Sequence, residues 1–190
     1  SKYIFRTSFG QNVSMPKIAN YLRDVVKAKT VAVIYVNNDF GKGGRDMITK
    51  SLDAMGAKVV ADISTDPGKL DFSAPVLQAK QSNADVIFVY TNEEEAARCL
   101  RELKKQGVTK PIFGETVLTG QKVIELAGDA ANGAQAHIGL SVDAPVPTMR
   151  AFRARFEKAF GYIPDHNGIK GYTSVYVMKA GIEKVGKVDR

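Results

Sequence analysis

The chain has 190 residues, which fits one domain, and its 44% hydrophobic and 25% charged residues are the proportions of an ordinary globular protein. The formal net charge of +7 does not predict nucleic acid as a partner, because Lys and Arg are spread over several segments and mixed with acids. One cysteine, Cys99, and two histidines exclude a disulfide framework and a cysteine-based zinc cluster, and they argue against a histidine-rich metal site.

The sequence alternates segments typical of helices and strands. In chain order they are helix 15–27, strand 30–36, helix 45–55, strand 57–62, helix 71–81, strand 84–90, helix 92–106, strands 111–114 and 134–140, and helices 149–160 and 172–184. The strand segments are continuous apolar runs, which is typical of strands covered on both faces. The alternation predicts an α/β fold with a doubly wound, mostly parallel central sheet and helices on both faces.

Polar segments follow the three clearest strands, at residues 37–41, 91–94 and 115–118. In open α/β sheets, ligands bind outside the carboxyl ends of the strands, so these segments are expected to line one edge of the sheet. They offer carboxylates, amides, a hydroxyl and an aromatic ring, a mixture suited to a small polar molecule. The other interpretation is that they are ordinary polar loops that begin helices.

Motifs of nucleotide-dependent enzymes are missing from this sequence. The first good strand is followed neither by Gly-x-Gly-x-x-Gly nor by a Walker-type loop. The glycines of residues 41–44 expose backbone N–H groups that suit phosphate, but a tight strand-to-helix turn explains them better. The run Glu93-Glu94-Glu95 is better explained as acids that interact favourably with the dipole at the start of a helix than as a catalytic acid/base pair. The sequence therefore predicts no catalytic residue, no cofactor and no metal site.

Two stretches, residues 34–43 and 52–60, resemble the type I periplasmic binding proteins of the leucine/isoleucine/valine class. Further segments agree with that family in order and spacing, namely residues 5–7, 71–74, 83–88, 114–116, 126–133 and 171–181. The resemblance covers nearly the whole chain. The family has two α/β lobes joined by a three-segment hinge, with the solute held in the cleft between the lobes.

The resemblance implies that residues 1–190 form a single α/β lobe, the second one, with hinge-crossing segments near residues 1–10 and 164–172. The first lobe of the same protein would then be a partner missing from this chain. The expected function is non-enzymatic capture, in the periplasm, of a branched-chain or other amino acid or a related organic acid. The captured solute would be delivered to an ABC permease of the inner membrane.

The same resemblance suggests four ligand-binding residues. Phe40 stands where the family has a Tyr or Phe that faces the solute, and Asn92 falls near an aromatic contact residue. Thr116 aligns with a carboxylate that binds the ligand ammonium, and Glu115 lies one residue earlier. Either Glu115 reaches the ammonium, or the solute lacks an amine. We expect the four residues to share one rim.

Two other functions remain open. A ligand-sensing domain of a transcription regulator or of a receptor would use the same lobe architecture. A flavodoxin-like or nucleotide-dependent enzyme would share the sheet topology, but the glycine-rich motifs that it needs are missing.

Overall fold

A computed structural model describes residues 4–188 of the chain. It divides into two compact units, one formed by Gly10–His137 and the other by residues 4–9 and 138–188. The predicted hinge segment near residues 1–10 begins at residues 1–3, which lie outside the described residues. The four candidate ligand-binding residues all belong to the Gly10–His137 unit.

The Gly10–His137 unit alternates helices and strands. Its elements are α1 (Gln11–Tyr21), β1 (Thr30–Val36), α2 (Asp39–Asp53), β2 (Lys58–Thr65), α3 (Ser73–Gln81), β3 (Val86–Tyr90), α4 (Glu93–Lys105), β4 (Ile112–Gly114), α5 (Gln121–Ala127) and β5 (Gln135–Ala136). A π-helical turn, Leu22–Val26, continues α1, and short 3-10 turns at Thr116–Thr119 and Gly128–Ala131 flank α5.

The five strands form one all-parallel sheet in the order β2-β1-β3-β4-β5. This is a doubly wound order, in which the connections leave β1 and β3 in opposite directions and open a crevice at their carboxyl ends. The predicted fold class is therefore confirmed.

Alternate strand residues enter two hydrophobic cores, one on each face of the sheet. Ile34, Ile87 and Val89 pack with α3, α4 and α5, whereas Val33 and Phe88 pack with α1 and α2. Burial of each strand on both faces explains the continuous apolar runs in the sequence. Cys99 of α4 is fully buried in the first of these cores, and burial raises the pKa of its thiol.

The glycine-rich segment after β1 is helical rather than a tight turn, which corrects the prediction of a helix that begins at residue 45. The Asn38 side chain accepts a hydrogen bond from the Gly41 N–H at 2.9 Å and so starts α2 at Asp39. A Cβ at Gly41 would lie 1.8 Å from the Val36 carbonyl oxygen, and one at Gly44 would lie 2.2 Å from the Tyr90 ring. The glycines therefore let α2 lie directly on the ends of β1 and β3.

The last strand is shorter than the predicted segment 134–140. Pairing with β4 is confined to Gln135 and Ala136, and the Gly10–His137 unit ends one residue later. The chain thus leaves the sheet before its remaining apolar residues can pair.

The other unit contains α6 (Pro147–Phe160) and α7 (His166–Val185). The aromatic ring of Phe152 lies 4.7 Å from that of Tyr172, which joins the two helices. The Asp165 side chain accepts hydrogen bonds from two backbone N–H groups and starts α7 six residues before the predicted start at residue 172. Large apolar side chains of α7 remain exposed, including Met178 at 60% and Val185 at 63%. Among residues 4–188, no helix is long and apolar enough to cross a membrane.

Candidate functional site

An open groove of about 520 Å³ lies at the carboxyl ends of the central strands. It combines an aromatic ring with acidic, basic and amide side chains. Its lining residues are Phe40, Gly68, Asn92, Glu93, Glu94, Glu95, Arg98, Val117 and Lys122. The groove thus occupies the crevice where a doubly wound sheet normally binds its ligand.

The apolar wall of the groove is the ring of Phe40, in the first turn of α2. This ring is 36% exposed and stacks on Tyr90, with 4.4 Å between centroids and 25° between planes. Tyr90 is in turn nearly parallel to Phe88, with 6.1 Å between centroids. Phe40 is therefore the outer member of a three-ring stack, and its ring lines the groove while the two behind it are buried.

Gln11 contacts two members of this stack from the start of α1. Its Nε2 donates a hydrogen bond to the Tyr90 hydroxyl at 2.7 Å and another to the Phe40 carbonyl oxygen at 3.2 Å. Burial raises the pKa of the Tyr90 phenol, the hydrogen bond from Gln11 partly offsets this, and the nearby charge of Glu115 raises the pKa further. The Tyr90 hydroxyl is therefore neutral at physiological pH.

Asn92 and Glu95 form the amino end of α4. Glu95 is 4% exposed, and its Oε1 accepts hydrogen bonds from the Gly68 N–H at 2.7 Å and from the Asn92 Nδ2 at 3.1 Å. The side chains of Asn92 and Glu95 thus bond to each other, and Asn92 makes no side-chain hydrogen bond to the helix backbone. The carboxylate of Glu95 ties the loop after β2 to the loop after β3.

Charged side chains of opposite sign face each other on the groove. The Lys122 Nζ lies 3.5 Å from a Glu94 carboxylate oxygen and 4.0 Å from one of Glu93, and Arg98 contacts Glu94 at 3.3 Å. All four side chains are partly exposed, so water weakens these ion pairs. A charged solute group would compete with them on either side.

Glu115 and Thr116 follow β4 directly and lie outside the lining of the groove. The Thr116 hydroxyl, on a residue that is 3% exposed, lies 2.8 Å from the Glu115 carboxylate and 2.9 Å from the His137 carbonyl oxygen. It has one hydrogen and so donates to one of these acceptors at a time. Burial lowers the pKa of the His137 imidazole, which the charge of Glu115 partly offsets.

All four predicted residues therefore follow the carboxyl ends of parallel strands, at one edge of the sheet. Phe40 and Asn92 line the groove, Glu115 is half-buried beside it, and Thr116 is buried. The sequence reasoning missed Lys122 and Gln11, which follow no strand. Among the described residues, no group of three or more His, Cys, Asp or Glu side chains is placed to hold a metal ion.

Comparisons with known proteins point to one family. The family model described as periplasmic binding protein matches residues 1–190. The chain is 25% identical over 191 residues to the leucine-, isoleucine-, valine-, threonine- and alanine-binding protein of Pseudomonas aeruginosa. The aligned region covers 99% of this chain and 50% of that protein. The chain spans about half the length of the curated relatives it matches.

Two solved structures share the fold. The leucine binding protein LivK of Thermotoga maritima superposes with a TM-score of 0.91 at 23% identity, over 99% of this chain and 54% of that one. A solute binding protein of an ABC transporter from R. palustris, in complex with 4-hydroxybenzoate, gives 0.91 at 21% identity, over 99% and 52%.

Proposed function

Since this chain belongs to the periplasmic binding protein family, we propose that it forms one wall of a solute-binding cleft in a two-lobed protein. In this proposal residues 1–190 provide the second lobe, with hinge-crossing segments near residues 1–10 and 164–172. The protein captures its solute without catalysis in the periplasm and presents it to an ABC permease of the inner membrane.

The groove at the crevice between β1 and β3 is the observation that carries this proposal. It offers one flat aromatic surface in Phe40 and several hydrogen-bonding groups, among them the Asn92 amide. Such a surface suits a small molecule with an apolar part and polar ends. The groove is open on one side, so a second wall is needed to bury most of the solute.

The solute is an amino acid or a related organic acid. The Pseudomonas aeruginosa relative is named for five amino acids, and the R. palustris neighbour was solved with 4-hydroxybenzoate. Both kinds of solute join an apolar body to a carboxylate. If Glu115 reaches the cleft it favours a solute that also bears an amine, whereas the Lys122 ammonium favours the carboxylate of either kind.

The exposed apolar side chains of α7 support the proposal that this chain packs against a partner lobe. Val175, Met178 and Val185 are each more than half exposed, and their spacing puts them on one side of the helix, where exposed apolar side chains often mark an interface. We assign that interface to the first lobe, because this chain spans about half the length of its relatives. Closure of the two lobes on the solute would be a population shift driven by contacts made in the closed form.

A thermal-shift screen of the full-length protein against amino acids and aromatic acids tests this function. A ligand at 100 times its Kd stabilises the folded state by about 2.7 kcal/mol, which raises the melting temperature measurably. The screen is repeated with Phe40→Ala and, as a control, with Leu77→Ala, which removes an exposed apolar side chain of α3. We expect the control to keep the solute-induced shift and Phe40→Ala to lose most of it. Equal shifts in both variants would place the solute elsewhere.

A further inference from the structure

Three segments that are distant in the chain meet at the side chain of Gln11. They are the first residue of α1, the first turn of α2 and the last residue of β3. The two hydrogens of the Gln11 amide reach the Phe40 carbonyl oxygen at 3.2 Å and the Tyr90 hydroxyl at 2.7 Å. An amide NH₂ carries two hydrogens, so both bonds form together.

The first turns of α2 also pass close to this amide. A Cβ added at Gly43 would lie 3.0 Å from the Gln11 Oε1. The Tyr90 ring that receives one hydrogen bond is also the ring on which Phe40 stacks, at 4.4 Å. Gln11 therefore holds Phe40 twice, directly through its backbone and indirectly through the orientation of Tyr90.

From these contacts we infer that Gln11 is a positioning residue for the solute site, which fixes the ring of Phe40 in the orientation that lines the groove. This inference rests on the proposed function, in which Phe40 contacts the solute. Gln11 itself is absent from the groove lining and acts through Phe40. A ring that is held in place before binding costs less entropy to order when the solute arrives.

The first measurement needs no solute. Lys42 donates to the carbonyl oxygen of Asn38 at the start of α2, and Ala96 donates in the same way to that of Asn92 at the start of α4. In the full-length protein, Gln11→Leu should speed hydrogen exchange at Lys42 about three- to tenfold, in line with the net worth of one hydrogen bond, and leave Ala96 unchanged. Equal acceleration at both amides, or at neither, would overturn the inference.

The second measurement is a double-mutant cycle on solute affinity. Full-length protein is titrated with L-leucine and with 4-hydroxybenzoate, and the tighter binder of the two is kept as the probe. Gln11→Leu should weaken the probe about three- to tenfold, and Tyr90→Phe, which keeps the ring, should weaken it less. In the Phe40→Ala background, Gln11→Leu should have no further effect, because the ring that it positions is gone.

Controls separate a positioning role from general loss of stability. Gln81→Leu changes an exposed glutamine at the end of α3 and should leave both exchange and affinity at wild-type values. If Gln11→Leu weakens the affinity by the same factor in the wild-type and Phe40→Ala backgrounds, Gln11 acts independently of Phe40, and the inference is overturned. If neither probe binds the wild-type protein, the proposed function fails for these solutes, while hydrogen exchange still decides the role of Gln11.

Discussion

The buried carboxylate of Glu95 accepts a hydrogen bond from the backbone N–H of Gly68 at 2.7 Å, and both residues line the groove. Glu95 belongs to the first turn of α4, and Gly68, at a φ of +78°, belongs to the loop after β2. Because the same oxygen also accepts from Asn92, one side chain fixes the shape of this side of the groove.

The first prediction concerns this contact. Glu95→Ala leaves the Gly68 N–H without its partner and should lower the free energy of unfolding by about 1–3 kcal/mol. Glu95→Gln keeps an acceptor oxygen and should cost less. Urea denaturation followed by circular dichroism measures both, with Glu125→Ala, an exposed acid of α5, as the control. A loss from Glu95→Ala no larger than that of the control would show that the contact adds nothing to stability.

Glycine at position 44 makes room for the aromatic stack behind the groove. A Cβ there would lie 2.2 Å from the Tyr90 ring, so Gly44→Ala should cost about 1–3 kcal/mol by overpacking. Lys50→Ala is the control, because Lys50 is an exposed residue of the same helix and alanine favours a helix. Thermal unfolding should show a lower melting temperature for the first variant and an equal or higher one for the second. The opposite order would contradict the packing described for α2.

Asp85 gives a pH-dependent prediction at the amino ends of β1 and β3. Its carboxylate accepts hydrogen bonds from the backbone N–H groups of Lys29 and Thr30 at 2.8 and 2.9 Å, which lowers its pKa. A pKa that is lower in the folded state contributes stability above the unfolded value of about 3.9, and this contribution is lost as the pH falls through the folded value.

Asp85→Asn should therefore lower the stability at pH 7, and the difference from wild type should shrink as the pH falls below about 4. Chemical denaturation at a series of pH values measures this difference. If the difference in stability between wild type and Asp85→Asn stays constant from pH 7 to pH 3, the charge of Asp85 is not what makes its contacts with Lys29 and Thr30 stabilising.

The preference for an amine-bearing solute depends on Glu115 if its carboxylate faces the closed cleft. In the full-length protein, Glu115→Gln should then weaken an amine-bearing solute such as L-leucine by roughly one to three decades, because a desolvated ion-pair partner is lost. It should leave an amine-free acid such as 4-hydroxybenzoate unchanged or bound more tightly. If both affinities change by the same small factor while the melting temperature falls, Glu115 stabilises its own loop by accepting a hydrogen bond from Thr116 and does not bind the solute.

The doubly wound parallel sheet and the edge that carries the candidate site could be predicted from simple features of the sequence. Strands buried on both faces must be apolar throughout, and the carboxyl ends of parallel strands must meet at one edge, which placed Phe40 and Asn92 correctly at that edge. The predicted start of α2 at residue 45 was wrong, because glycines are usually interpreted as turn residues. They are required here by close approach to Val36 and Tyr90, which no local pattern reveals.

Other parts of the site depend on contacts between distant segments. Lys122 meets the acids of α4 from the start of α5, and Gln11 meets Phe40 across 29 residues of chain. Neither residue has a spacing that marks it in the sequence. The difference between groove-lining Asn92 and buried Thr116 likewise arises from the 3-10 turn at Thr116–Thr119, whose burial is a property of the packed sheet edge.

Hydrogen exchange of the full-length protein, with and without a saturating solute from the thermal-shift screen, tests whether the solute binds at this edge of the sheet. We expect slower exchange with solute in residues 38–42, 91–95 and 115–118, which follow the carboxyl ends of β1, β3 and β4. Residues 27–30 and 82–85, at the amino ends of β1 and β3, serve as internal controls and should not change. Protection at the amino ends, with none in the three carboxyl-end segments, would contradict the proposed solute-binding wall.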